Sequence, residues 1–284
     1  MREWLRVCDN HKDHKKYGCH SDSNSVLPTR VLDVKRRTFT KSIRLYISKN
    51  KEIGEYIALS HCWGDFKPED RTKFCTFKQN IKQRRKSIDI DELPKTFRDA
   101  IRVTRGLGKR YLWIDSLCIV QDDPVDWERE AKTMEVVYSM AYCTIAATSA
   151  KNSLEGFLRP PRQREFVKIS PPVRPASTEN DHFRRYMRNI NRTHWVTVDG
   201  MGNVIDEQEE SDSEPEEPLS TLYICEHIDD FTRDVEESIL NSRGWVLQER
   251  ALSRRTLHFS DSQTYWECGI GVHCETLTLM YKYV

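Results

Sequence analysis

The block of residues 93–149 constrains the fold more than any other part of this sequence. It reads as a helix, an apolar strand, an acidic turn, a second helix and a further apolar strand. Short apolar runs bounded by turn residues are typical of buried parallel strands, and short strand–helix–strand connections form right-handed parallel crossovers. The block therefore predicts an α/β fold in which helices flank a mostly parallel sheet.

The turn residues of this block set the predicted element boundaries. Pro94 fits the first turn of a helix, and Gly108 fits its end. A strand is predicted over 111–120, and Asp123 followed by a proline fits the start of the second helix. A last strand is predicted over 142–148. Apolar spacing predicts that the buried stripe of the second helix comprises Trp127, Ala131, Met134, Tyr138 and Ala141.

Other segments extend the predicted sheet. Short strands are predicted at 29–34, 43–48, 56–60, 255–259 and 263–268, and a helix is predicted to begin near residue 242. We predict an N-terminal extension, residues 1–50, packed on a domain that spans 51–284. The apolar spacing that predicts helices and strands is weak over about 159–235, which we interpret as an insertion. Its acidic part, 203–219, is predicted to be disordered.

Composition and charge bear on whether the chain binds nucleic acid or membranes and on where in the cell it is expected to act. The net charge of +1 gives no global field for nucleic acid or an anionic membrane, although the arginines of 159–192 leave nucleic-acid binding as a minor alternative. No apolar run approaches the ~20 residues of a membrane span, and the N-terminus lacks a signal-peptide core. We therefore expect a cytoplasmic protein. The absence of a closing element before Val284 suggests a piece of a longer chain.

Nine cysteines are scattered through the chain, and we expect their thiols to stay reduced. Cys118 and Cys143 lie in apolar contexts and are predicted to be core residues. Metal-capable side chains crowd the N-terminus, but their spacing matches no common zinc pattern. No metal site is therefore predicted, and a structural zinc remains the alternative. This N-terminal group comprises Cys8, His11, His14, Cys19 and His20.

Three ordered motifs resemble those of the fungal heterokaryon-incompatibility (HET) domain. The first is Ala-Leu-Ser-His-Cys-Trp-Gly at residues 58–64. The second comprises residues 93–100, 111–119 and 121–123, with Met134, Tyr138 and Ala141. The third comprises residues 243–245 and 248–250, with Leu252. The resemblance implies a role in non-self recognition and regulated cell death, a form of fungal innate immunity.

The order of elements also resembles that of Toll/interleukin-1 receptor (TIR) domains, which implies a flavodoxin-like sheet. Trp245 and Glu249 resemble the Trp and Glu of the enzymatic TIR motif and have its four-residue spacing. Enzymatic TIR domains cleave NAD, so the resemblance implies an NAD nucleosidase that is switched on by self-association. NAD is then a substrate and no cofactor is expected, consistent with the lack of a Gly-rich dinucleotide fingerprint after a strand.

The resemblance implies that Glu249 and Trp245 are the candidate catalytic residues, and on a helix two residues four apart share one face. A carboxylate can stabilise the oxocarbenium-like centre that forms when the nicotinamide–ribose bond breaks. The candidate substrate-binding residues follow two strands, where α/β folds build ligand sites. These residues are Ser60, His61, Trp63, Asp65, Asp115, Ser116, Gln121 and Asp122.

Each assignment has an alternative. Glu249 can be a surface carboxylate paired with Arg250, Arg254 or Arg255, and Trp245 can be a core anchor. The aspartates can be helix caps. A Cys62–His61 nucleophile pair is disfavoured, because adjacent side chains on an extended chain point to opposite sides.

Glu128 and Glu130 are rival acids, of which Glu128 fits a solvated helix face. At the level of the whole protein, the alternative to an enzyme is a non-enzymatic TIR-like module. Such a module would signal through self-association or through a partner HET or receptor protein.

Overall fold

The computed structural model describes residues 1–10, 16–19, 25–35, 41–159, 166–169, 222–225, 230–275 and 279–280. The side chains of Pro68, Trp245, Leu247 and Gln248 and those of 166–169, 222–225 and 279–280 are outside this description. The chain divides into two units, of which one comprises residues 1–162 and 229–284 and the other comprises 163–228. The acidic stretch 203–219 lies outside the described residues.

The larger unit carries most of the elements. Its helices are α1 (Arg2–Asn10), α2 (Pro68–Phe74), α3 (Ile81–Lys86), α4 (Lys95–Gly106), α5 (Asp115–Cys118), α6 (Pro124–Met140) and α7 (Gly244–Leu252), with a π-helical turn at Thr232–Glu236. Its strands are β1 (Arg30–Asp33), β2 (Ser42–Ile47), β3 (Tyr56–Ser60), β4 (Ile88–Asp89), β5 (Tyr111–Trp113), β6 (Cys143–Ala146), β9 (Arg255–Phe259), β10 (Thr264–Cys268), β11 (Gly271–Cys274) and β12 (Leu279–Met280). In the smaller unit, β7 (Phe166–Ile169) pairs antiparallel with β8 (Leu222–Cys225).

One ten-stranded sheet holds the larger unit together, in the order β12-β11-β10-β9-β6-β3-β5-β1-β2-β4. The four central strands, β9, β6, β3 and β5, are parallel. Numbered along the chain, they stand in the order 4-3-1-2, which is the order of the first four strands of a flavodoxin-like sheet. The α/β prediction is therefore confirmed.

Both flanks of the sheet are antiparallel, which makes it a mixed sheet. β1 and β2 pair antiparallel beside β5, and β9 to β12 form an antiparallel meander. Because only residues 260–263 separate β9 from β10, the chain can return only antiparallel there. β1 and β2, which both fall within the predicted N-terminal extension, thus belong to the same sheet.

The central strands are buried on both faces, as the apolar runs predict. Every residue of β3, β5 and β6 is buried, and α4 covers the sheet with Phe97, Ala100 and Ile101. Gly108 ends the α4 region at φ +78°, a left-handed conformation that glycine adopts without the clash of a Cβ. Cys118 and Cys143 are core residues, as predicted.

Two local predictions were wrong. The strand predicted over 111–120 ends at Trp113, and Asp115 then begins the short helix α5. Polar partners drive this change, because Thr76 N–H donates to the Ser116 carbonyl and the Asp126 carboxylate accepts the Val120 N–H. Trp127, predicted to be in the buried stripe of α6, is 51% exposed. Across the described residues, none of the helices has the length and apolarity to cross a membrane.

Candidate functional site

Glu249 lies at the carboxyl end of the parallel strands, where α/β folds bind ligands. β3 ends at Ser60, and β5 leads directly into Asp115. Helix α7 packs against α6 and brings Glu249 up to the Ser60 and Tyr138 hydroxyls, with the Asp115 carboxylate near enough to repel it. Residues from three distant parts of the sequence therefore meet around one carboxyl group.

The Glu249 carboxyl is buried, with 9% of the residue exposed. Burial raises its pKa to about 7, and repulsion from Asp115 adds to that rise. The Ser60 and Tyr138 hydroxyls and the Arg243 charge act in the opposite direction. Among the described residues, no group forms a hydrogen bond of good geometry with Oε2. A buried carboxyl that is half ionised near neutral pH is a common property of catalytic acids and bases.

Tyr138 lies beside the Glu249 carboxyl. Its hydroxyl donates a 3.2 Å hydrogen bond to the Leu59 carbonyl on β3. Burial raises its pKa well above the ordinary value, and the nearby Glu249 charge adds to this. Tyr138 therefore stays a neutral phenol beside the carboxyl. Its ring also packs edge-on against Trp113, at 5.7 Å between centroids.

Asp115 is fixed by two donors. The Trp63 indole N–H donates to its Oδ2 at 2.7 Å, and the Ser116 backbone N–H donates to its Oδ1 at 2.6 Å. The first bond joins the loop after β3 to the start of α5, which follows the neighbouring parallel strand β5. The predicted residues Ser60, Trp63 and Asp115 thus all lie at the carboxyl ends of β3 and β5.

His61 and Cys62 point into different surroundings. The His61 ring is buried edge-on against Phe97, at 5.1 Å, and burial lowers its pKa. Cys62 packs with Ala146, Leu240 and Val246, and burial raises the pKa of its thiol. A neutral imidazole and a protonated thiol in separate apolar surroundings do not form a nucleophile–base pair.

The other predicted binding residues are spread around the loops. Ser116 is buried, and its hydroxyl has no hydrogen-bond partner among the described residues. Gln121 donates to the Ile119 carbonyl at 3.1 Å, and the exposed Asp122 accepts the Lys78 backbone N–H at 2.8 Å. Asp65 is also exposed. Gln121 and Asp122 thus bind neighbouring backbone in the observed arrangement.

Two of the three arginines offered as partners for Glu249, Arg250 and Arg255, pair with other carboxylates. Arg250 binds Glu267 through two hydrogen bonds of 3.0 and 3.1 Å, and Arg255 binds Asp9 at 2.7 Å. The Ser253 hydroxyl donates to the Glu249 carbonyl at 2.7 Å and also contacts Thr144 on β6. These bonds anchor the end of α7 to the sheet while the Glu249 side chain turns inward.

The rival acids on α6 have structural partners. Glu128 is exposed and pairs with Lys132 one turn later, at 2.6 Å, as its position predicts. Glu130 is buried and forms an ion pair with Arg30 at 3.4 Å, beside the 2.5 Å pair of Arg30 and Asp126. Glu130 thus ties α6 to β1.

Trp245 lies on α7 four residues before Glu249, as the sequence predicts, but its side chain lies outside the described part. Two residues around Glu249 were missed as site residues. Tyr138 was assigned to an apolar stripe and to the second motif, and Arg243 to the third motif, but neither was predicted to lie at the site. Arg243 also donates to the His61 carbonyl at 2.9 Å. The hydroxyl of Tyr138, within an otherwise apolar stripe of α6, was the feature of the sequence that could have indicated a role at the site.

The observed state of the site is closed. Cavities of about 460 and 380 Å³ lie elsewhere in the larger unit, and Glu249 lines neither of them. The lining of the first includes Arg250 of α7 and Glu267 of β10, and the second lies between α2, α3 and β4.

Comparison with known proteins adds independent information. The sequence model of the family described as Heterokaryon incompatibility protein (HET) matches residues 56–249. The chain is 27% identical over 212 residues to Heterokaryon incompatibility protein 6, OR allele, of Neurospora crassa. That alignment covers 71% of this chain but only 28% of the relative, so the chain spans less than a third of it. No solved structure matches.

Proposed function

Because this chain belongs to the heterokaryon incompatibility (HET) family, we propose that it acts in fungal non-self recognition as a cell-death effector that hydrolyses NAD. The bond cleaved is the one between nicotinamide and ribose. The printed name of the Neurospora crassa relative supports the biological role. The site around Glu249 supports the chemistry.

A single observation carries the enzymatic proposal, namely a buried carboxyl of pKa about 7 at the carboxyl end of the parallel strands. Hydrolysis adds water to C1′ of the ribose, releases neutral nicotinamide and gives up one proton. Because the leaving group is neutral, no strong general acid is needed. Positive charge develops on the ribose, and an ionised Glu249 in a dry site stabilises that charge far more than a carboxylate in water.

The neighbours of Glu249 have distinct parts in this proposal. Ser60 and Tyr138 favour the ionised carboxylate, because their hydroxyls lower its pKa against the effect of burial. Asp115, held by Trp63 at 2.7 Å, raises it and adds negative charge at the strand ends. Trp245 is proposed to stack on the substrate.

The closed site supports an activation step. NAD can reach a 9% exposed Glu249 only if the loops after β3 and β5 or helix α7 move. We propose that self-association, or contact with a partner HET or receptor protein, stabilises the open arrangement. A binding partner shifts such an equilibrium by its differential affinity for the two states.

The test is nicotinamide release from NAD by the purified chain at increasing protein concentration. Glu249→Gln keeps the size of the side chain and removes its charge, so we expect at least about a hundredfold loss, the scale of one transition-state electrostatic contact. Glu128→Gln is the matched control, because Glu128 is an exposed helix carboxylate. Release that Glu249→Gln leaves intact would refute the assignment.

Exposed apolar side chains on α6 favour the second candidate function, a signalling module without chemistry. Val125, Trp127 and Val136 are 74%, 51% and 57% exposed, and such side chains suit a protein contact. Cell-death assays separate the two functions. A module without chemistry predicts that Glu249→Gln kills as the unaltered chain does and that Trp127→Glu does not.

A further inference from the structure

Three buried cysteines from opposite ends of the chain meet in the larger unit. Cys8 belongs to α1, Cys19 follows in the N-terminal segment, and Cys268 ends β10. Their sulfur atoms all lie within 4.8 Å of one another. They are 0%, 1% and 8% exposed. Cys268 lies far from the other two cysteines in the sequence, so the spacing of the N-terminal cysteines and histidines does not reveal this group.

The spacing of the sulfur atoms is close to that of a metal–thiolate site. Zinc binds thiolates at about 2.3 Å in a tetrahedron, which sets neighbouring sulfurs about 3.8 Å apart. Sulfurs within 4.8 Å reach this geometry through small side-chain rotations. Three cysteines in mutual contact also exceed what one disulfide can use, since a disulfide joins two sulfurs at about 2.05 Å.

Hydrogen bonding within the trio and burial raise the pKa of Cys8 and Cys19, but two nearby groups act in the opposite direction and would support bound thiolates. The Gly269 backbone N–H donates to the Cys19 sulfur, which is the kind of hydrogen bond that supports a metal-bound thiolate. A Cβ at Gly269 would lie 2.5 Å from the Tyr17 carbonyl and 3.2 Å from the Cys19 sulfur, so the close approach requires glycine. The guanidinium of Arg255 acts on Cys8 as a favourable positive charge.

Arg255 is buried beside the three cysteines and is held there by several polar contacts. It is 1% exposed, donates to the Cys19 carbonyl at 2.6 Å and forms an ion pair with Asp9 at 2.7 Å. Asp9 also accepts from the Tyr142 hydroxyl at 2.6 Å. A fixed, buried cation beside three thiols offsets part of the negative charge that three thiolates carry.

We propose that Cys8, Cys19 and Cys268 bind a structural zinc ion that fastens the N-terminal segment to β10. Each thiol loses its proton on binding, so one Zn²⁺ displaces three protons and gains three thiolate ligands. The fourth ligand comes from outside this trio, water included. Zinc fits better than magnesium or calcium, because soft thiolates do not suit those hard cations.

The position of the site gives the ion a structural role. Cys8 and Cys268 are 260 residues apart in the sequence, so their cross-link closes a long loop and restricts the unfolded state. The cavity of about 460 Å³, lined by Tyr17, Gly18, Cys268 and Gly269, gives the ion a route to the sulfurs. This proposal is independent of NAD cleavage.

Elemental analysis of the tag-free chain, purified without added metal, tests the proposal. We expect about one zinc per chain, as for a structural site of high affinity. Cys268→Ser should remove most of that zinc, whereas Cys143→Ser, at another buried cysteine outside the group, should retain it. A chain without zinc, or a Cys268→Ser variant that keeps it, would overturn the proposal.

A second measurement covers the case in which Cys268→Ser fails to fold. The unaltered chain is stripped of metal and given Co²⁺ alone, and we expect intense near-ultraviolet thiolate-to-cobalt absorption with the visible bands of tetrahedral cobalt. Mass spectrometry under non-reducing conditions completes the test. A disulfide between two of the three cysteines, or cobalt without thiolate absorption, would contradict a zinc site.

Discussion

The Trp63 indole N–H donates a 2.7 Å hydrogen bond to Asp115 Oδ2, which joins the loop after β3 to the start of α5. The two strands that lead into these residues are parallel neighbours in the sheet. The bond therefore links the two segments that follow these strands, at the same end of the sheet as Glu249. It also fixes the carboxylate that helps to raise the pKa of Glu249.

The Trp63→Phe substitution tests this contact. It keeps an aromatic ring and removes the donor, leaving Asp115 with one of its two bonds. We expect a loss of about 1–3 kcal/mol in the free energy of unfolding, measured by urea titration. Tyr46→Phe, which removes a 3.0 Å bond to the part-exposed Glu52 outside the site, is the control. A loss no greater than that of the control would show that the bond contributes little.

The pKa of Glu249 predicts how stability depends on pH. Burial raises the folded-state pKa from 4.5 to about 7, so between these pH values the folded state keeps a proton that the unfolded state has lost. The contribution of Glu249 to stability should therefore fall as pH rises from 4.5 to 7, by up to about 3 kcal/mol, and stay level above that range.

Glu249→Gln should abolish this component, because the amide does not titrate. The difference in unfolding free energy between the variant and the unaltered chain, measured by urea titration from pH 4.5 to 8, isolates the contribution of one group. A difference that does not change with pH would show that Glu249 titrates normally, and that its burial is relieved by water.

The pH dependence of NAD cleavage should report the same group. Because the ionised carboxylate stabilises the transition state, kcat/KM should rise with pH and level off above about pH 7. Ser60→Ala removes a hydroxyl that favours the ionised form, so the midpoint should move to higher pH. At pH 7 we expect about a two- to fivefold loss of kcat/KM.

Ser139→Ala, on the exposed side of α6, is the control for this profile. An unmoved midpoint in Ser60→Ala, with kcat/KM reduced equally at every pH, would mean that the Ser60 hydroxyl acts on the substrate and leaves the ionisation of Glu249 unchanged.

The sequence was a good guide where local rules decide the structure. Pro94, Gly108 and Asp123 mark helix boundaries as predicted, and the Asp123 side chain caps α6 by accepting the Val125 N–H at 3.2 Å. The apolar runs are the buried parallel strands. Glycine, proline and short apolar runs act through their own backbone and burial, so they need no distant partner.

Features that depend on distant partners could not be predicted. The predicted strand over 111–120 breaks at Asp115 because loop backbone near Thr76 and the carboxylate of Asp126 supply other hydrogen bonds. Tyr138 reads as one more apolar residue until α7 sets Glu249 against it. Cys268 reads as an isolated cysteine until β10 brings it to Cys8.

Arg250 of α7 forms a buried ion network with Glu267 of β10 and His258 of β9. His258 Nε2 lies 2.8 Å from Glu267 Oε2, and Arg250 binds both carboxylate oxygens. Burial raises the pKa of Glu267, but His258 and Arg250 outweigh it and hold the pKa well below the ordinary value. The network should therefore contribute stability above the unfolded-state pKa near 4.5 and lose it as pH falls further.

Glu267→Gln leaves Arg250 and His258 without their shared anion. We expect a loss of about 3–5 kcal/mol at pH 7, measured by urea titration, and a shallower decline of stability between pH 4.5 and 2 than in the unaltered chain. Glu237→Gln, at an exposed residue of the same region, is the control. A variant as stable as this control would argue that Glu267 has no part in holding α7 to β10.

The most direct test of the account is nicotinamide release from NAD by the concentrated chain, with Glu249→Gln and Glu128→Gln measured beside it at pH 7.5. We predict release that rises more steeply than protein concentration, falls by at least about a hundredfold in Glu249→Gln and is unchanged in Glu128→Gln. The absence of release at any concentration, or equal release by all three proteins, would contradict a catalytic role for the buried carboxyl at the strand ends.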